Sequence, residues 1–229
     1  MRSSCITVTK SVTIAYILSI LSFSSFSQTT RLNLLVNGVT TNLNYGKANN
    51  TLEPYKKNLT GLQLGASLQT GITPRFSVVT ETYLIMRGGA LKRDNPITGN
   101  KSTLRLYTAE IPVLARFQLG RLYINSGPYV AYTLAGRVKT AGSQAIPEKS
   151  TKLSFKNSPD GFKRWETGVQ AGAGYLFDVK RTRFALDVRY GYGLTNISRD
   201  IERYNRALSL SLLVFNPWKK NPFEKKQDL

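Results

Sequence analysis

The sequence predicts an all-β protein: an eight-stranded antiparallel up-and-down transmembrane β-barrel, made with an export signal. Three observations predict it. Apolar and polar residues alternate with a period of two through one stretch after another. Charges inside those stretches keep to one parity and leave the other apolar. The connections alternate between short and long, as short periplasmic turns and longer outer loops do in bacterial barrels.

The amino-terminal segment reads as a signal peptide. Arg2 and Lys10 supply a basic start, and an apolar run follows from Val12 to Phe23. Ser25 and Ser27 place small residues at −3 and −1 of a cleavage before Gln28. A membrane anchor is the competing reading, but a spanning helix needs about 20 mainly apolar residues and serines break this run. The expected organisation is a signal at 1–27, a barrel at 28–215 and a basic periplasmic tail at 216–229. Cys5, the one cysteine, leaves with the signal, so the mature chain has no disulfide and no thiol nucleophile. No cysteine follows the apolar run to carry a lipoprotein anchor.

Composition narrows the function classes. Histidine is absent from the chain, which removes Ser/His/Asp and Cys/His catalysis and the commonest zinc ligand. No enzyme activity and no cofactor is expected. The formal charge of +19 falls to +17 without Arg2 and Lys10. Such a charge suits nucleic acid, but no helix-turn-helix, zinc-finger or RNP motif is visible and the signal directs the chain out of the cytoplasm. Basic loops among anionic lipid headgroups are the preferred reading.

The strands follow in order. The first, around Leu34 to Tyr45, is irregular, because its apolar residues change parity near Leu35. Leu62, Leu64, Ala66 and Leu68 then alternate with Gly61, Gln63, Gly65, Ser67 and Gln69. Phe76, Val78, Leu84 and Met86 oppose a face with Glu81 and Arg87, and Tyr107 through Leu119 oppose Glu110 and Arg116. Leu122, Ile124, Val130, Tyr132 and Leu134 oppose Tyr123, Asn125, Gly127, Tyr129 and Thr133. Trp165 to Phe177 alternate with Glu166, Gly168, Gln170, Gly172 and Gly174, and Phe184 to Tyr192 with Asp187, Arg189 and Gly191. Leu208, Leu210, Leu212 and Val214 close the series. No helical spacing is visible after Gln28.

Tight connections fall at Gly71 to Arg75, Gly120-Arg121 and Asp178 to Thr182; Gly120 comes first in its pair, as a type II′ hairpin requires. Long ones run about Gly46 to Asn58, Gly88 to Ser102, Gly136 to Lys163 and Asn196 to Asn205. Both chain ends are then periplasmic. Alternation alone also permits a soluble lipocalin-like barrel with an apolar ligand inside. The polar parity favours the membrane, because it is rich in Gly, Ser, Glu, Asp and Arg while lysines keep to the connections.

Several segments carry a resemblance. Glu110-Ile111-Pro112-Val113-Leu114, Gly127-Pro128-Tyr129, Trp165-Glu166-Thr167-Gly168 and Arg189-Tyr190-Gly191-Tyr192-Gly193 stand in the order and spacing of matching strands. Together they resemble the PorT-like outer-membrane β-barrel family over nearly all of Leu59 to Phe215. The resemblance implies an eight-stranded outer-membrane barrel, and the family's namesake supports protein export across that membrane. One departure is plain: such barrels end on an aromatic residue, whereas here a lysine-rich tail follows Phe215.

Two residue sets are candidates for function. Glu81, Glu110, Glu166 and Asp187 share the inward parity with Arg87, Arg116 and Arg189. Paired carboxylates can do acid–base chemistry, but a lumenal ion network is the favoured reading of this structural set. The second set is the basic loop with Arg137, Lys139, Lys149, Lys152, Lys156 and Lys163, suited to lipopolysaccharide phosphates or an acidic protein partner. No catalytic, cofactor or metal residues are expected. The expected role is structural, accessory or partner-binding, in envelope assembly or secretion; a narrow gated channel is a further alternative.

Overall fold

A computed structural model describes residues 30–142, 147–179 and 182–215. The expected signal and tail, and the tip of the turn after Asp178, lie outside the described residues. Ten strands form one sheet: β1 (Thr30–Asn44), β2 (Lys56–Lys57), β3 (Leu59–Gly71), β4 (Phe76–Leu91), β5 (Ser102–Leu119), β6 (Leu122–Thr140), β7 (Lys149–Lys152), β8 (Trp165–Val179), β9 (Thr182–Gly193) and β10 (Tyr204–Phe215). β1 pairs antiparallel with both β3 and β10, β4 pairs with β5, and every wall strand has two neighbours. The wall is therefore a closed antiparallel barrel of eight strands, with β2 and β7 as short additions on β4 and β6. Closure leaves no exposed wall edge.

The faces sort as the charges require. Leu62, Leu64, Leu84 and Leu210 are 54–67 % exposed on the outer wall, while Glu81 and Asp187 are at most 1 % exposed inside it. An outer surface of Leu, Val and Ile around the whole barrel is unfavourable in water and favourable in hydrocarbon. Aromatic residues bound this belt. Phe76 faces Phe117 and Phe177 stacks on Phe184 at 5.8 Å near one rim; Tyr132 meets Trp165 edge-on at 4.9 Å near the other, beside Tyr107. Tyr107 and Phe117 are ten residues apart on β5. At about 3.4 Å per residue and a tilt near 40°, that is a band of about 25 Å, the height of a barrel's apolar zone.

The turn at Gly120-Arg121 is tight, with Gly120 at φ 63° and β5 and β6 pairing from Leu119 and Leu122 onward, as the type II′ reading requires. Three expectations change. β1 begins earlier, at Thr30, and its parity is regular: Asn33, Leu35, Asn37, Val39, Thr41 and Leu43 all point inward. The apparent parity change arises because Leu35 and Val39 belong to an apolar cluster inside the barrel, with Tyr123, Leu176, Ala185 and Leu213. β4, β5 and β6 also extend beyond the belt, to Leu91, from Ser102 and to Thr140, and β7 folds back on β6. The expected loops at 88–102 and 136–163 are correspondingly shorter. Finally, the first long connection holds one α-helical turn, α1 (Asn49–Leu52), between 3-10 turns at Gly46–Ala48 and Glu53–Tyr55, each too short to leave a periodic signal.

Above the belt, a second apolar cluster closes the mouth. Leu43, Tyr45, Leu52, Leu91, Leu104, Leu106, Phe162 and Ile197 are buried together there.

Candidate functional site: lumenal ion network and basic rim

All seven inward charges are buried in the lumen, none more than 4 % exposed. They form three tiers. In the upper tier, Arg87 Nη1 donates to Glu110 Oε2 at 2.6 Å, and its Nη2 lies 3.2 Å from Glu166 Oε2. The Tyr83 hydroxyl and Gln170 Nε2 donate to Glu110 Oε1 at 2.6 and 2.5 Å. Tyr129 and Asn205 donate to the two oxygens of Glu166 at 2.7 and 2.6 Å. Each carboxylate oxygen thus has a donor.

In the middle tier, Arg189 spans two carboxylates. Its Nη1 and Nη2 donate to Glu81 at 2.6 and 3.3 Å, and its Nε donates to Asp187 at 3.2 Å. Asn125 donates to the other Asp187 oxygen at 2.9 Å. The lowest tier is different. Arg116 lies over the Tyr123 ring at 4.1 Å and donates to Gln69 at 3.2 Å. Among the described residues it has no carboxylate within ion-pair distance, so it joins the lumen through a π face and an amide.

Glycines on β8 make this possible. Gly168 faces Tyr129 and Gly174 faces Tyr123 across the β6–β8 ladder. A Cβ at either position would run into the facing tyrosine ring. The side-chain-free positions Gly168 and Gly174 on the inner face of β8 are the space in which those rings lie. The space remaining among Gln63, Tyr83, Arg87, Glu110, Gln170 and Arg189 is about 10 Å³, near the size of one water. No group of three metal-ligating side chains occurs among the described residues.

The basic set divides. Arg137, Lys139 and Lys152 line a groove of about 740 Å³ on the flank of β5, β6 and β7. Lys149, Lys156 and Lys163 are exposed but outside its lining. Two cations that the sequence reading missed complete it: Arg105 of β5, and Arg164, whose Nη1 donates to the Thr133 and Leu134 carbonyls at 2.8 and 3.1 Å. Arg105 was missed because β5 was begun at Tyr107. The alternation of Leu104 and Leu106 with Arg105 was the available signal.

The chain is similar in architecture to solved barrels. Neisserial surface protein A shares 10 % identity at a TM-score of 0.43, over 80 % of this chain and 96 % of that one. Ail, the attachment invasion locus protein of Yersinia pestis, shares 13 % at 0.43, over 81 % and 98 %. The N-terminal β-barrel domain of Pseudomonas aeruginosa OprF shares 9 % at 0.31, over 81 % and 99 %. No curated protein matches the sequence. The family model described as "Outer membrane protein beta-barrel domain" matches residues 26–199, three quarters of the chain. By that match the chain belongs to the outer membrane protein β-barrel domain family.

Proposed function

We propose that the exported chain loses residues 1–27 and stands in the outer membrane as a non-enzymatic, non-conducting barrel of the PorT-like kind. Its role is accessory or partner-binding, in envelope assembly or secretion, with both chain ends in the periplasm. The observation that carries this is the filled lumen. Two arginines each tie two carboxylates together, and about 10 Å³ is left among them, too little for a file of water, an ion path or an apolar ligand. A wall cross-linked through its own axis is a rigid post, and its chemistry with the surroundings falls to its rims. The secretion part of the reading rests on the PorT-like resemblance of the Glu110–Leu114 and Gly127–Tyr129 strands.

The test uses single cysteines, which are clean because the sequence has no cysteine besides Cys5. In intact cells, Ser150→Cys in β7 should react with an impermeant maleimide, and Thr73→Cys in the short turn should react only after the outer membrane is opened. The purified protein should migrate faster on a denaturing gel before boiling than after it, and should give no current in planar bilayers. Reversed labelling would invert the orientation, steady conductance would favour the gated channel, and a monomer soluble without detergent would favour the lipocalin-like barrel.

A further inference from the structure

Arg105 on β5 pairs directly with Arg137 on β6, and Arg137 pairs directly with Lys152 on β7. Cross-strand partners share a face, so three cations stand side by side, about 5 Å apart at the Cβ atoms. All three are exposed, and among the described residues none is in an ion pair. Lys139 stands one pair farther up the same face, and its charge is already met by Glu148 at 2.8 Å. Like charges directly opposite one another destabilise a sheet. Keeping a row of three costs stability that an anion would return.

The position of the row says which anion. Tyr107 and Ala135 form the next outward pair below it, and Tyr107 belongs to the aromatic girdle with Tyr132 and Trp165. β6 gains one residue there, with Leu134 and Ala135 both exposed, and this bulge brings Arg137 into line with Arg105. The groove beside the row is lined by Tyr107, Leu134 and Phe155 as well as by its cations. An occupant thus meets hydrocarbon-like wall below and a line of positive charge one pair above. Aromatic girdles lie at headgroup level, and basic residues just beyond them meet lipid phosphates.

We infer that the Arg105–Arg137–Lys152 row is a binding site for a phosphate-bearing glycolipid of the outer leaflet, its acyl chains on the Tyr107–Leu134 wall and its phosphates on the three cations. The site rests on the membrane reading above, with β7 on the outer side. Arg137, in the middle of the row, reaches both neighbours and can hold a phosphate with two N–H groups at once. A water-soluble anion would have no use for the apolar floor, and an acidic peptide would not need the row at girdle height.

The test uses the full exported chain in non-ionic detergent, with diphosphoryl lipid A as the probe and native mass spectrometry as the readout. Wild type should retain the lipid, and R105Q/R137Q/K152Q should bind it at least about tenfold more weakly, since each basic residue near a charged surface contributes. K149Q/K156Q/K163Q, with three charges removed outside the groove, should bind as wild type does. R137Q alone serves if the triple variant fails to fold, and should show the largest loss of any single change in the row. Equal retention of dephosphorylated lipid A would overturn the proposal, as would equal weakening in both triple variants, displacement by inorganic phosphate at matched concentration, or tighter binding of polyglutamate than of lipid. Heat-dependent gel mobility separates the two readings. Its absence in wild type removes the membrane reading, whereas a heat-modifiable barrel that ignores phosphorylated lipid removes only this site.

Discussion

β5 is two strands end to end. From Tyr107 to Leu119 its outward residues are Tyr, Ala, Ile, Val, Ala, Phe and Leu, and its inward residues include Glu110 and Arg116. From Ser102 to Leu106 the assignment reverses: Leu104 and Leu106 point inward into the apolar cap, and Arg105 points out. β6 reverses in the same place, with Val138 packed against the cap and Arg137 and Lys139 outside. One strand therefore obeys the rule of a membrane barrel and then, within two residues, the rule of a soluble one. The change falls where the surrounding medium changes, because the polarity of a face follows what that face meets. Neither alternation nor strand type carries that information. Only the crossing point between Tyr107 and Arg105 does.

The strongest way to break the contrast is to remove a cation from the membrane zone. Arg189→Met leaves Glu81 and Asp187 buried at the barrel axis without their shared partner. Unpaired buried charge of this kind costs about 3–5 kcal/mol, to be read as a lower urea midpoint in detergent and an earlier loss of the heat-modifiable form. Arg189→Met with Glu81→Gln should recover part of it, since one of the stranded charges is then gone. A single variant as stable as wild type would mean that water reaches this tier.

Somewhat smaller is the effect of adding a cation to the outer wall. Leu210 is 54 % exposed at mid-belt, paired with Val188 and Gly38. Leu210→Arg should cost about 2–4 kcal/mol in a lipid-reconstituted unfolding titration. In the upper zone the opposite change, Arg105→Leu, should stay within about 0.5 kcal/mol, as surface substitutions do. The pair of results matters more than either number. Equal costs at the two heights would remove the interface that Tyr107 marks.

The same contrast explains what could be read from sequence. Seven strands were legible because their outer faces are apolar, and where charges fall inside a strand, as with Glu110 and Arg116, they share a parity. Their lumenal position followed from the cost of charge in hydrocarbon. The first strand was legible only as an irregular one with the wrong start, since Leu35 and Val39 face an apolar cluster inside while Leu34 and Val36 face lipid outside, which blurs the period of two. Which groups pair with which inside the lumen was invisible for another reason. Parity places Arg116 on the inner face, but only the tilt and stagger of the closed sheet decide that it meets Tyr123 and Gln69 rather than an acid. The cation row depends in the same way on the register of three strands and on a one-residue bulge.

The smallest expected effect lies in the zone above the apolar belt, where charges are wetter than in the lumen. Asp200 accepts from Ser198 Oγ and from Arg203, whose Nη1 and Nη2 lie 2.5 and 3.0 Å from its oxygens, and this clamp holds the connection between β9 and β10 against Phe162. Partial burial pushes the Asp200 pKa up, but hydrogen bonds from Arg203 and Ser198 more than offset it and hold it below the ordinary 3.8. A lowered folded-state pKa means that the clamp contributes fully above that ordinary value and is lost as pH falls through the lower, folded one. Because the carboxylate is 37 % exposed and solvent screens it, the contribution is under about 1 kcal/mol. Asp200→Asn should therefore speed hydrogen exchange at the Ile197 amide, which donates to the Arg203 carbonyl at 3.0 Å, by no more than a few-fold at neutral pH. The difference from wild type should shrink toward zero in acid. A difference that grows as pH falls, or one as large as that of Arg189→Met, would place Asp200 in an environment as dry as the lumen and erase the distinction between the two zones.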